Sequence, residues 1–189
     1  MATHPPTDPR YTIGPLRPAF TQIPRDSLWN SLGFLSLSLQ AQGLFLLLLT
    51  SPLVDAAGVV RSTAQGLAER LRNGDSEATL SSALDEIEEQ GLISRCGDEI
   101  FCTGWFEISN VFDGPKTFRS FVTAEAKISH TATRRHVHAW LAHGLRCKSE
   151  STGITPSLIA ELHAWGKAHG MDFGQIKRKR TKKHEPDRQ

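Results

Sequence analysis

The side chains best suited to chemistry in this chain are cations and hydroxyls spaced to meet phosphate. Lys177-Arg-Lys-Arg-Thr-Lys-Lys183 places six cations in seven residues. Such a run neutralises phosphates without reading sequence, and its binding weakens steeply with salt. Two short helical patterns are flanked by Arg61, Arg70, Arg72, Asn73 and Arg95, positions from which a nucleic-acid backbone can be held. Between them, Ser76, Thr79 and Ser82 fall at the start of the second helix. Hydroxyls there join the helix's N-terminal amides in favouring an anion. Arg134 and Arg135, in Thr131 to His138, mark a second basic helix start. Cations at that end oppose the macrodipole, so an anionic partner is expected, either a phosphate or an acidic protein surface.

Other chemistries lack their residues. The chain has no Walker loop, no G-x-G-x-x-G, no H-E-x-x-H and no serine-nucleophile motif. His136 and His143 share a helix face without a matching Cys pair, so no metal, no cofactor and no catalytic residue is assigned, and the chain is not read as an enzyme. Cys96, Cys102 and Cys147 are odd in number and show no C-x-x-C spacing, which fits a reducing cytoplasm. The Pro- and Thr-rich start has no apolar core of a signal peptide. The longest leucine-rich run, Leu44 to Leu49, is far short of the about 20 residues a membrane span needs. A cytoplasmic protein with no membrane contact is the expectation.

Composition adds a charge asymmetry. Hydrophobic residues make up 39% and charged residues 22%, enough apolar material for a core. The net charge is +2, yet residues 177–189 hold seven Lys/Arg and two Asp/Glu, so the other 176 residues carry 15 Lys/Arg and 18 Asp/Glu, a net of −3. A slightly acidic globule bears a strongly basic end.

These residues need elements to place them. Ser38 caps a leucine-rich helix to Thr50, covered on most sides. Gly58 to Arg61 reads as a short strand. Ser62 and Gln65 form a capping box that opens a helix ending at Asn73-Gly74. Asp75 or Ser76 caps the next helix, with Leu80, Ala83, Leu84 and Ile87 inward and Gly91 closing it. Leu92–Arg95 and Glu99–Thr103 then form a hairpin through Cys96-Gly97-Asp98. Helices follow over 116–129, 133–145 and from Thr155-Pro156 onward, with 146–154 as a linker. The expected fold class is mainly α with a small β-hairpin wing, a winged helix-turn-helix followed by a small helical region. The expected organisation is a flexible arm at 1–19, the winged helix-turn-helix at 20–105, a helical region at 116–170 and a basic disordered tail at 171–189.

Three strings carry a family resemblance: Phe20-Thr-Gln-Ile-Pro24, Leu37-Ser-Leu-Gln-Ala-Gln-Gly-Leu-Phe45, and Ala83-Leu with Ile87 followed by Gly91-Leu-Ile and Arg95. Together they resemble the N-terminal winged-helix domain of replication-initiator and replisome-organiser proteins of bacteriophages and plasmids. The resemblance covers residues 20–105. It implies binding of origin or replication-fork DNA and recruitment of a helicase or helicase loader. Double-stranded DNA is the expected partner, and a homodimer stays open. The groove-reading helix would be Ser76–Gln90 and the wing Arg95 to Glu99.

The sequence departs from that pattern in charge. The 76–90 helix has no Lys or Arg but carries Glu77, Asp85, Glu86, Glu88 and Glu89. With its apolar stripe inward, Ala78, Ser81, Ser82, Asp85 and Glu89 point out, and an acidic face repels phosphate. Only the first turn is suited to approach a duplex. Two alternatives stay open: a winged-helix transcriptional regulator, and a protein-interaction module whose acidic helix docks a basic partner such as a helicase loader.

Overall fold

The computed structural model describes residues 31–71 and 76–177. The expectations for the arm at 1–19, the Phe20–Pro24 string, Arg72, Asn73 and residues 178–189 lie outside the described residues. The described chain is mainly helical with one three-stranded antiparallel sheet.

The first half follows the periodicity of the sequence. Helix α1 (Leu32–Leu35) is capped by Ser31, and α2 (Leu39–Thr50) by Ser38, whose hydroxyl accepts the Ala41 N–H. Ala41, Leu44, Phe45, Leu48 and Leu49 of α2 are buried. Contrary to the expectation of a helix covered on most sides, one flank stays open. Leu39 is 87% exposed, and Leu46 and Leu47 are only partly covered.

Strand β1 (Val59–Arg61) leads to α3 (Ala64–Leu71), then α4 (Glu77–Glu89), β2 (Ile93–Cys96) and β3 (Glu99–Cys102). The cap of α3 is not Ser62. Its hydroxyl donates to the Thr63 carbonyl, while the Thr63 hydroxyl accepts the Gly66 N–H. Gln65 reaches Glu69 instead of closing a capping box. Ser76 caps α4 and accepts the Thr79 N–H at 3.2 Å.

The sheet order is β1-β3-β2, with Arg61 opposite Glu99 and Cys96 opposite Glu99 on the other side. All four residues of β3 are buried, because this strand lies between β1 and β2 and is covered by α7 (Thr131–Ser151). Gly97 turns the hairpin with φ +59, and a Cβ there would lie 2.5 Å from the His130 ring.

The second half adds α5 (Trp105–Ile108), a 3-10 turn (Val111–Asp113), α6 (Pro115–Glu125), α7 and α8 (Pro156–Ala168). Helix α7 runs through residues 146–151, where the sequence reads as a linker. No helix breaker occurs before Gly153, and Ser149 is buried. Gly144 brings α7 onto α5, since a Cβ would come within 2.7 Å of Phe106 Cβ. Phe106, Phe118, Phe121 and Trp165 pack edge-on and stacked, with centroids 5.4–6.0 Å apart. Burying each such ring contributes about 2–3 kcal/mol. Buried apolar residues from Phe34 to Trp165 form one continuous cluster, so both halves share a core. Among the described residues no helix is long and apolar enough to cross a membrane.

Candidate nucleic-acid interface

Helix α4 presents Ser76, Thr79 and Ser82 at its N-terminal end. The Ser76 and Thr79 hydroxyls lie 2.8 Å apart and bond to each other, while Ser82 is exposed. Among the described residues, Ser76 and Thr79 are the sequence-assigned contacts that touch each other.

The acidic side of α4 is occupied within the molecule. The Glu86 carboxylate accepts both the backbone N–H and the hydroxyl of Ser38, tying α4 to the start of α2. Those bonds, the hydroxyl's first, hold the Glu86 carboxyl below its usual range. Glu88 accepts the Arg95 backbone N–H at 2.7 Å and its Nε–H at 2.8 Å, and Asp85 takes the outer guanidinium nitrogen. Burial works against the Arg95 charge, and the bonds to Asp85 and Glu88 more than offset it, so its pKa stands above the ordinary value. Of the five carboxylates, Asp85 and Glu88 are ion-paired and Glu86 is held by hydrogen bonds, while Glu77 and Glu89 have neither among the described residues.

The sequence-assigned cations are dispersed. Arg95 lies against the flank of α4 and is engaged as above. Arg61 sits on the opposite edge strand, pairs with Asp55 and donates to the Ala124 carbonyl at 3.4 Å. Asp55 is itself fixed by the Ala57 and Val59 N–H groups. Arg70, in the last turn of α3, is exposed and has no ion pair among the described residues. Lys177 is held by its backbone: its N–H donates to Ser149 Oγ at 2.7 Å and its carbonyl accepts the Ile154 N–H at 2.9 Å. Arg178, Lys179, Arg180, Lys182 and Lys183 lie outside the described residues, as do Arg72 and Asn73.

The anionic partner expected at the start of α7 lies inside the protein. Glu99 of β3, 1% exposed, accepts the backbone N–H groups of Ser129 at 2.6 Å and His130 at 3.2 Å. It caps the helix from across the fold. Glu125, also buried, sits 3.0 Å from both Arg134 Nε and His138 Nε2, with His169 Nε2 at 3.9 Å from its other oxygen. Arg134 Nε lies off the line of a directed hydrogen bond, so that contact is an ion pair; the Arg134 guanidinium also donates to the Ile128 carbonyl. Burial lowers the His138 pKa, with Glu125 acting in the opposite sense. His130 meets Asp98 at 3.4 Å, and His136 Nδ1 bonds the Ser94 hydroxyl.

Sequence reasoning missed Glu99, Glu125 and His169 as positioning residues. One signal was present: a glutamate in an otherwise apolar strand, Glu99-Ile-Phe-Cys102. Among the described residues no group of three or more His, Cys, Asp or Glu is placed to hold a metal ion. Compared with protein-family models, curated proteins and solved structures, the chain matches none.

Proposed function

We propose that this chain binds double-stranded DNA through a winged helix-turn-helix and serves replication initiation of a phage- or plasmid-like element. The observation that carries the reading is topological. The order α2, β1, α3, α4, β2, β3, with a β1-β3-β2 sheet, is compatible with a winged helix-turn-helix and supports the reading. The hydroxyl-bearing start of α4 is the part that meets the duplex, and the basic run at 177–183 adds sequence-independent affinity. The replication role, with recruitment of a helicase or its loader, rests on the resemblance of residues 20–105. The role is one of binding, not catalysis.

The rival of an acidic helix docked on a basic partner is disfavoured by one observation: Asp85, Glu86 and Glu88 already have partners within the fold. Fold alone does not fix function, so binding decides. Anisotropy with a labelled random duplex across a salt series, on the full chain, tests the reading. A companion variant replaces Arg178, Lys179, Arg180, Lys182 and Lys183 by Gln and keeps Lys177, whose backbone anchors the end of α7. The expected result is salt-dependent duplex binding by both proteins, weaker in the variant. Loss of all binding with those five charges would move the DNA reader out of the globule. A regulator would instead select an inverted repeat from a random duplex library, through a two-fold dimer.

A further inference from the structure

We propose that His143 and Cys147 of α7 are half of a tetrahedral zinc site, and that the same pair from a second copy of this chain completes it, so that one zinc ion joins two molecules. The proposal stands apart from the DNA-binding reading and does not need it.

Imidazole nitrogen and thiolate sulfur are the ligands of structural zinc sites, and a spacing of four residues sets both on one helix face. Cys147 Sγ lies 3.6 Å from His143 Nε2. Zinc bonds sulfur at about 2.3 Å and imidazole nitrogen at about 2.0–2.1 Å, and at a tetrahedral angle those bonds hold the two ligand atoms about 3.5–3.6 Å apart. The pair already has the separation of two ligands on one zinc. In the metal-free pair the thiol proton lies between sulfur and nitrogen, and zinc takes its place.

The pair is also reachable. Both side chains are exposed, turned away from the buried row Val137, Leu141, Gly144 and Leu145. The His143 ring stands edge-on to Trp140, with centroids 5.3 Å apart. His136, Trp140, His143 and Cys147 recur at i, i+4, i+7 and i+11, so they form one stripe. Trp140 in that stripe is half-buried and offers an apolar ring to an opposing helix. The other two cysteines are poorer ligands. Cys96 is half-buried in β2, and burial, with Asp55 adding to it, pushes the Cys102 thiol up to about 12.

Two ligands do not close the site. Structural zinc takes four, and among the described residues no group of three or more His, Cys, Asp or Glu is placed to hold a metal. A two-fold axis beside α7 brings the same pair from a second copy and gives a Cys2His2 set. Charge argues for the second copy as well. Residues 126–149 contain five Lys or Arg and no Asp or Glu, and Arg146 is exposed beside the pair. One thiolate leaves a zinc dication with a net positive charge there. Two thiols, each giving its proton to the buffer, leave the complete site neutral.

The test uses the untagged full chain with a non-thiol reducing agent. Chelator-treated protein is titrated with zinc while its mass is followed by analytical ultracentrifugation, and cobalt(II) serves as the spectroscopic stand-in. The expected result is a monomer in chelator and a dimer at one zinc per two chains, with about two protons released per zinc. Cobalt should show thiolate charge transfer and the intense visible bands of a tetrahedral ion. C147S and H143Q, both at exposed positions, should lose the dimer at the same zinc concentration, and C147S the charge-transfer band, while C96S behaves as wild type. A wild type whose mass does not change with zinc overturns the proposal. So does one zinc per chain without association, or a dimer that persists in chelator. A C147S protein that keeps the dimer or the charge-transfer band, or an H143Q protein that keeps the dimer, also overturns it.

Discussion

Helix α4 carries five carboxylates and no cation; α7 carries four cations and one carboxylate. By charge alone, one would dock a basic partner and the other an acidic one. The structure treats them differently. Three of the α4 carboxylates are fastened to Ser38 and Arg95 within the domain, and two α7 cations are fastened to Glu125 and Asp113. What remains among the described residues is a modest acidic end on α4 and two exposed arginines on α7, Arg135 and Arg146, without an ion pair. A helix's formal charge therefore says little about its partners until internal pairing has been subtracted.

The largest expected effect lies at the base of α7. Glu125→Ala strands Arg134 and leaves His138 and His169 without their carboxylate. Removing one member of a buried ionic cluster costs about 3–5 kcal/mol. Urea unfolding should show the loss, and a change under 1 kcal/mol would mean that the cluster does not hold α6, α7 and α8 together. Next comes Glu99→Ala, which removes the cap on the Ser129 and His130 amides. A cost of about 1–2 kcal/mol is expected by the same measurement, as for other lost helix caps.

The double variant Asp85→Asn/Glu88→Gln sharpens the comparison because it removes both carboxylates that hold Arg95, a partly exposed group. Stability should fall by less than about 1 kcal/mol. If the duplex meets only the start of α4, the salt slope of DNA binding stays unchanged. A slope steeper by about one would place the duplex against the flank of α4.

The smallest effect is on pH dependence. His138 has a lowered pKa in the folded protein, mainly through burial. The unfolded chain therefore takes up this proton first, at its ordinary value near 6.5. The contribution of His138 is full above that value and is lost as pH falls from there toward the lowered folded pKa. His138→Gln should flatten the stability profile below pH 6.5, measured by urea unfolding at successive pH values. An unchanged profile would show that this histidine does not set the acid response.

Much of the local architecture was legible from residue types. The Leu80, Ala83, Leu84 and Ile87 stripe gave α4 its inner face, and Ser38 and Ser76 gave two helix starts, because caps and periodicity act within a few residues. Misreadings arose where a distant group intervenes. Residues 146–151 resemble a linker, yet they stay helical with Ser149 buried against the Lys177 backbone, 28 residues away. Arg61 and Arg95 resembled phosphate ligands because Asp55, Asp85 and Glu88 are recognisable as their partners only once strand and helix are packed together.

By itself the sequence determined the succession of helices and the hairpin, the alternation of buried faces and the placing of six cations at 177–183. Those are matters of local propensity, hydrophobic period and composition. Only the tertiary structure decided which charges are spent and which stay open. A carboxylate such as Glu99 or Glu125 finds its amide or guanidinium partner 9 to 31 residues away, across the core, where low dielectric makes an unpaired charge costly. That cost selects the pairs, and the arginines it leaves over are the ones available to a partner.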